Sequence, residues 1–261
     1  MKEQTLKIIS NEKITDNVFV LKLQAEKGLE IKAGQFVNIS VNDNALLLKR
    51  PFCVFDYTSK SGATAAGGVL TVCYQVKGAG TNALSTMKDF AKVTYPLGNG
   101  FEVKPEYKNI ILIGGGIGVF PFYLLKNYKD VKFTAYFGFK NKENSYFIDE
   151  FKSFCDLKIS TEDGSLGEKG FVTDLVRKDL FGAPGSSRPT YDAVFVCGNK
   201  AMLGEVKKLG LKNAYVSVEE RMGCGVGACL TCACKLNVNG EQYNMRVCKD
   251  GPVFDLQHVV L

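Results

Sequence analysis

The chain has 261 residues, 46% of them hydrophobic, with 33 basic and 27 acidic side chains and a net charge of +6. This is a globular composition with room for one large domain, or two ordinary ones plus a small appendage. The positive excess is mild and spread along the chain, and no basic run is interleaved with aromatics. That pattern argues against nucleic-acid binding but suits anionic dinucleotides.

Residues 1–102 read as all-β. Strands are expected at Thr5–Ser10, Asn17–Gln24, Gln35–Val41, Phe52–Tyr57, Val69–Val76 and Lys92–Pro96, short runs of Val, Ile, Phe and Thr between polar or glycine turns. Six such strands in this length point to a small closed antiparallel barrel. Arg50-Pro51-Phe52-Cys53 opens one of them, and an arginine fixed there offers bidentate hydrogen bonds to a pyrophosphate. Gly78-Ala79-Gly80-Thr81 precedes a short helical stretch, Asn82–Lys88, whose free N–H groups and threonine hydroxyl make a second phosphate seat.

Residues 103–217 change to alternating strand and helix. The strand Asn109–Ile113 runs into Gly114-Gly115-Gly116-Ile117-Gly118 and a helix through Leu125. Glycines there let backbone approach a pyrophosphate, although Val119 replaces the last glycine of the usual dinucleotide pattern. The apolar run Ile110–Leu125 falls short of the roughly 20 residues needed to span a bilayer, so no membrane segment is expected. Further strands are expected at Lys132–Phe137, Leu157–Thr161, Ala193–Cys197 and Ala214–Val218, with helices at Val172–Asp179 and Ala201–Leu209. Apolar strands alternating with helices imply a parallel sheet covered on both faces. Cys197-Gly198 then falls at the sheet edge where ligands bind. Asp163 reads two ways, as an acceptor for a ribose hydroxyl or as a turn residue. Two phosphate seats in a barrel beside a nicotinamide domain point to flavin.

Residues 218–261 are too few to build a core yet carry five of the nine cysteines. The odd count and the absence of an export signal after Met1 favour thiolate ligation in a reducing, cytoplasmic compartment over disulfides. Cys224, Cys229 and Cys232 have the C-x4-C-x2-C spacing of plant-type [2Fe–2S] proteins, which need a distant fourth ligand. Asn239-Gly240 is a strong hairpin signal. Folding about it pairs positions whose numbers sum to 479 and brings Cys248 beside Cys232. Cys234 is the rival fourth ligand. Four thiolates would also suit a structural zinc, though its ligands usually come as two short cysteine pairs.

The combination resembles the ferredoxin-reductase superfamily, and most of all the electron-transfer subunits of B-type dihydroorotate dehydrogenases. The resemblance rests on Arg50–Cys53, Gly80-Thr81, Pro96-Leu-Gly-Asn-Gly-Phe101, Gly114–Gly118, Asp163-Gly164, Cys197-Gly198, Arg221–Cys229 and Val247–Phe254. It implies an FAD barrel, an NAD domain and a C-terminal [2Fe–2S] segment. It implies FAD contacts at Arg50, Pro51, Phe52, Cys53, Cys73, Tyr74, Gln75, Gly80 and Thr81, and cluster ligation by Cys224, Cys229, Cys232 and Cys248. No catalytic side chain beyond the cofactors is implied. Cys53 stands where the family usually has serine, and Asn199 where the superfamily often has proline. Nicotinamide takes electrons in pairs and a cluster gives them singly, so the flavin belongs between them. The implied partner is an FMN-containing catalytic subunit, two of each chain forming a heterotetramer. Related subunits of a sulfide dehydrogenase or a ferredoxin–NADP oxidoreductase are the nearest alternative, and a zinc-stabilised binding module is the alternative of another class. Lys140 and Lys142 leave NAD and NADP both open.

Overall fold

A computed structural model describes residues 2–41, 43, 45–59, 67–182 and 189–261. Six strands, β1 (Lys2–Lys13), β2 (Val18–Ala25), β3 (Phe36–Ser40), β4 (Arg50–Ser59), β5 (Gly68–Gln75) and β6 (Phe90–Leu97), close a barrel in the order β1-β2-β5-β4-β3-β6. All six pairings are antiparallel. Closure leaves no edge, and the inward residues Leu21, Leu23, Val37, Ile39, Val54, Leu70, Val72 and Val93 are fully buried. Helix α1 (Ala79–Ser85) sits between β5 and β6.

The second layer system is a seven-stranded sheet. Its strands are β7 (Asn109–Gly115), β8 (Lys132–Phe139), β9 (Cys155–Thr161), β10 (Glu168–Lys169), β11 (Ala193–Cys197), β12 (Ala214–Ser217) and, from the tail, β15 (Val253–Asp255), in the order β10-β9-β8-β7-β11-β12-β15. The sheet is parallel from β10 to β12, but β15 adds antiparallel to β12. The tail therefore does not stand apart. Its Cys232, Val247, Cys248, Phe254, Leu256 and Val259 share one buried cluster with Ile113, Val196 and Val216 of the sheet. Helices α2 (Ile148–Lys152), α3 (Val172–Phe181) and α4 (Lys200–Lys208) connect the strands. The segment after β7 is a 3-10 helix, Gly116–Asn127, with Pro121 inside it. Proline has no N–H to donate and crowds the preceding turn, which disfavours a regular α-helix.

Barrel and sheet lock together through aromatics. Phe55 of β4 stacks on Tyr123 at 4.4 Å between ring centroids and meets Phe120 edge-on. Lys126 Nζ donates to Asp56 Oδ2 at 2.6 Å while lying over the Tyr123 ring. β13 (Ala233–Val238) and β14 (Glu241–Arg246) form the tail hairpin. Its register, from Ala233 opposite Arg246 to Val238 opposite Glu241, sums to 479 throughout. Asn239 and Gly240 both take positive φ, as the two-residue turn requires.

Candidate functional site

The strand order reverses direction at β7. β8 lies on one side and β11 on the other, with Cys197 in register with Gly114. Ligands of open α/β sheets bind at this switch point. Gly118 is pressed against the Cys197 and Gly198 backbone, with the nearest atom 2.5 Å from where a Cβ would stand. A side chain there would push apart the two turns that the topology brings together.

A cavity of about 270 Å3 opens between barrel, sheet and tail. From the barrel it takes Pro51, Phe52, Cys53, Cys73, Tyr74, Gln75 and Thr81, seven of the nine residues expected to meet FAD. The other two, Arg50 and Gly80, lie against each other, and a Cβ on Gly80 would collide with the guanidinium. Arg50 donates through Nη1 to the carbonyls of Leu46, at 3.0 Å, and Leu48. Thr81 Oγ1 accepts from the N–H groups of Lys77 and Gly78 at 2.9 and 3.2 Å. An arginine and a glycine-built helix start are thus gathered at one spot, the chemistry a pyrophosphate asks for. Cys197 enters the same cavity from the sheet. Burial pushes the Cys53 thiol up to about 12, helped by Glu219. It holds Cys73 and Cys197 well above the usual thiol range as well. All three are neutral at physiological pH.

A second cavity of about 530 Å3 adjoins the first over the sheet edge. Gly115, Gly116, Gly118 and Gly198 line it, whereas Gly114 is buried beneath in β7. The expected Asp163 is not part of its wall. Its Oδ1 accepts from Ser165 N at 2.9 Å and Ser165 Oγ at 2.6 Å, which lowers its carboxyl. The neighbouring Glu162 lines the cavity instead. Lys140 lines it too. Lys142 is not in the wall, and its backbone N–H donates to Ser165 Oγ at 2.8 Å.

The two cavities share Gln75, Lys77, Ile117, Gly118 and Glu219. Lys77 and Glu219 escaped the sequence reading because neither belongs to a recognisable motif. The crowding of protein around Glu219 raises its carboxyl, with Lys77 opposing.

The tail thiols stand as two pairs. Cys224 N–H donates to Cys229 Sγ at 3.3 Å, and Cys248 N–H to Cys232 Sγ at 3.4 Å. Val226 and Ala228 donate to Cys224 Sγ at 3.4 and 3.3 Å, and Gly227 donates to Cys248 Sγ at 3.1 Å. All four sulfurs therefore receive a backbone N–H, which stabilises thiolate charge. Hydrogen bonds from Thr231 and from backbone bring Cys229 down to about 6. Cys234 is buried opposite Met245 with a thiol raised to about 11, chiefly by burial. Among the described residues no three His, Cys, Asp or Glu side chains gather around a single ion-sized point.

Arg246, which no motif flagged, ties this region together. It grips Asp250 with Nε and Nη2, both at 2.9 Å, and donates from Nη1 to Gly227 O at 3.2 Å. Cys248 lies on the turn between Arg246 and Asp250. Met222, two residues before Cys224, lines the first cavity, so the tail loop and that cavity are contiguous.

Comparison with known proteins agrees with this arrangement. Residues 219–260 match the family model described as the iron–sulfur cluster binding domain of dihydroorotate dehydrogenase B. The electron transfer subunit of dihydroorotate dehydrogenase B (NAD(+)) from Caldanaerobacter subterraneus subsp. tengcongensis is 36% identical, over 97% of each chain. Its counterpart from Listeria welshimeri is 37% identical over the full length of both. Among solved structures, a chain of an NADH-dependent reduced ferredoxin–NADP oxidoreductase, studied for flavin-based electron bifurcation, superposes with a TM-score of 0.81. It is 27% identical over 98% of this chain and 89% of that one. A ferredoxin NADP+ reductase from Neisseria gonorrhoeae, with bound FAD and NADP, shares the fold at a TM-score of 0.62 and 16% identity, covering 85% of this chain and 94% of that one.

Proposed function

Because the chain belongs to the family of electron-transfer subunits of dihydroorotate dehydrogenase B, we propose that it carries electrons, by way of a [2Fe–2S] cluster and FAD, between an FMN-containing catalytic partner and NAD(+). It is a subunit of an oxidoreductase and works with a catalytic subunit that oxidises dihydroorotate. Two of each chain would make the assembly, in the cytoplasm. No helix of the described residues is long and apolar enough to cross a membrane.

The observation that carries the proposal is the contiguity of three sites. The paired tail thiols adjoin the first cavity through Met222, and that cavity shares the Glu219 and Gln75 wall with the second. Bound there, the cluster would supply single-electron transfer and the flavin the exchange between single electrons and hydride pairs.

The residues fit those groups. Arg50 and the N–H groups beside Gly80 and Thr81 would bind the FAD pyrophosphate. Pro51, Phe52, Cys53, Cys73, Tyr74 and Gln75 would wall its ring system. Gly114, Gly115, Gly116, Gly118, Cys197 and Gly198 would seat NAD, with Glu162 rather than Asp163 facing that cavity. Cys224, Cys229, Cys232 and Cys248 would hold the cluster. Their spacing, three clustered cysteines and a distant fourth, suits two irons better than one zinc. Functionally the chain divides into residues 1–102 for FAD, 103–217 for NAD and 218–261 for the cluster, the last leaning on the NAD sheet through β15. Val226, 39% exposed, and Leu230, 62% exposed at φ +61°, flank Cys229 and offer the catalytic subunit an apolar landing.

The test is purification of the chain alone and with its partner. Alone it should carry two irons and one FAD and reduce dyes with NADH, without oxidising dihydroorotate. Dihydroorotate turnover by the lone chain, or zinc in place of iron and flavin, would overturn the proposal. The close superposition on the ferredoxin–NADP oxidoreductase chain supports a second reading as a homologous subunit of such an enzyme. The identity of the co-purifying partner decides between them.

A further inference from the structure

The cysteine loop of the tail meets the barrel at a buried amide. Asn38 stands in the middle of β3 and is 1% exposed. Its Oδ1 is buried without a hydrogen-bond partner. Opposite it on β4 is Pro51, a wall residue of the first cavity, and directly opposed residues of an antiparallel pair share a face. The Nδ2 end of the same amide lies against Gly225, the residue after Cys224, where any Cβ would collide with it. Gly225 takes φ +70°, so the loop is shaped around the amide at a position suited to glycine.

An apolar side chain of the same size would fill this place without burying an unpaired acceptor. The amide thus carries a cost that barrel packing alone does not explain. What it touches is the loop whose N–H groups serve Cys224 and Cys248.

We propose that Asn38 is a positioning residue for the cluster: its carboxamide, carried by the flavin-binding barrel, seats the Cys224–Cys229 loop against that barrel and adds an N–H dipole to the surroundings of the thiolates. The inference rests on reading the tail as a [2Fe–2S] site. Dipoles and hydrogen bonds directed at cluster sulfurs favour the more negative, reduced centre and raise its reduction potential. Loss of the amide should lower that potential, and a carboxylate in its place should lower it further.

The experiment uses the full-length holo chain as wild type, Asn38→Leu and Asn38→Asp. Iron and FAD per chain are measured first. A wild type that binds FAD without iron would remove the cluster reading itself, whatever Asn38 does. The reduced cluster's EPR spectrum and the midpoint potentials of cluster and flavin are then recorded. The expected result is wild-type FAD content, shifted g-values and a lower cluster midpoint in both variants, more so in Asn38→Asp, with the flavin midpoint unmoved. Selective loss of iron with FAD retained would equally support a seating role. An unchanged spectrum and midpoint, or parallel loss of FAD and iron from the isosteric Asn38→Asp, would overturn it.

Discussion

Asn99 and Val253 exchange two hydrogen bonds, from Asn99 Nδ2 to Val253 O at 2.8 Å and from Val253 N to Asn99 Oδ1 at 3.0 Å. Asn99 follows the last barrel strand, and Val253 opens the strand by which the tail joins the sheet. A backbone bond from Asn99 N to Gly251 O, at 2.8 Å, completes the clamp. Asn99→Ala should cost about 2–3 kcal/mol, since two bonds worth roughly 1 kcal/mol each are lost and a Val253 N–H is left unpaired. The expected outcome is a lower urea midpoint and faster proteolysis of the tail, read by gel and mass spectrometry.

Arg50 and Gly80 should govern flavin retention. Gly80→Ala drives a methyl group into the Arg50 guanidinium, and Arg50→Leu removes the charge. Charge-assisted bonds are worth roughly 1.5–3 kcal/mol, so FAD affinity should fall by about 10- to 100-fold in Arg50→Leu. Fluorescence titration of the flavin-free chain measures it. Unaltered affinity would remove Arg50 from the site.

The hairpin register separates two cysteines. Cys248→Ser should abolish the cluster and its visible absorption, because that sulfur meets the Cys232 thiol and accepts from Gly227 N–H. Cys234→Ser should keep two irons per chain, because Cys234 faces Met245 instead. Iron analysis of the two variants tells them apart.

Stability should fall on the alkaline side. In the flavin-free chain Cys53 keeps its proton up to about 12 because burial disfavours the thiolate. An unfolded thiol ionises near its ordinary value of 9.0. The unfolded state therefore gains stability as pH rises above 9, and the folded state loses ground until 12 is reached. Urea midpoints measured between pH 7 and 10.5 should decline, and Cys53→Ser should make that decline shallower.

Leu230 should matter only to assembly. Leu230→Asp puts a charge on an exposed apolar side chain beside Cys229. Iron and FAD content should stay at wild-type levels, while affinity for the catalytic subunit, measured by calorimetry, should drop at least about tenfold, the range of a buried interface anchor.

Local rules made much of this molecule legible in its sequence. The six barrel strands were marked by short runs of Val, Ile, Phe and Thr between polar or glycine turns, and β11 lies at Ala193–Cys197 as expected because it is wholly apolar between polar flanks. The Asn239-Gly240 turn fixed a register that placed Cys248 correctly beside Cys232, since one turn type dictates every pair. Long-range relations were less legible. β15 is three residues long, and the side chain that holds its first residue, Asn99, lies about 150 residues away in sequence. Glu162 and Asp163 are adjacent carboxylates, and it is the contact of Asp163 with Ser165, invisible in the sequence, that accompanies the placing of Glu162 in the cavity wall. Asn38 looked like any polar residue in a strand, because the glycine it touches belongs to another segment.

The antiparallel addition of β15 to β12 reaches beyond cofactor binding. β12 would otherwise border solvent with unanswered backbone donors and acceptors, an invitation to pair with another molecule. A chain cut before Val253 should therefore do worse than lose its iron. Its bared margin should recruit copies of itself, so a truncated product would be expected in inclusion bodies or as large species on gel filtration.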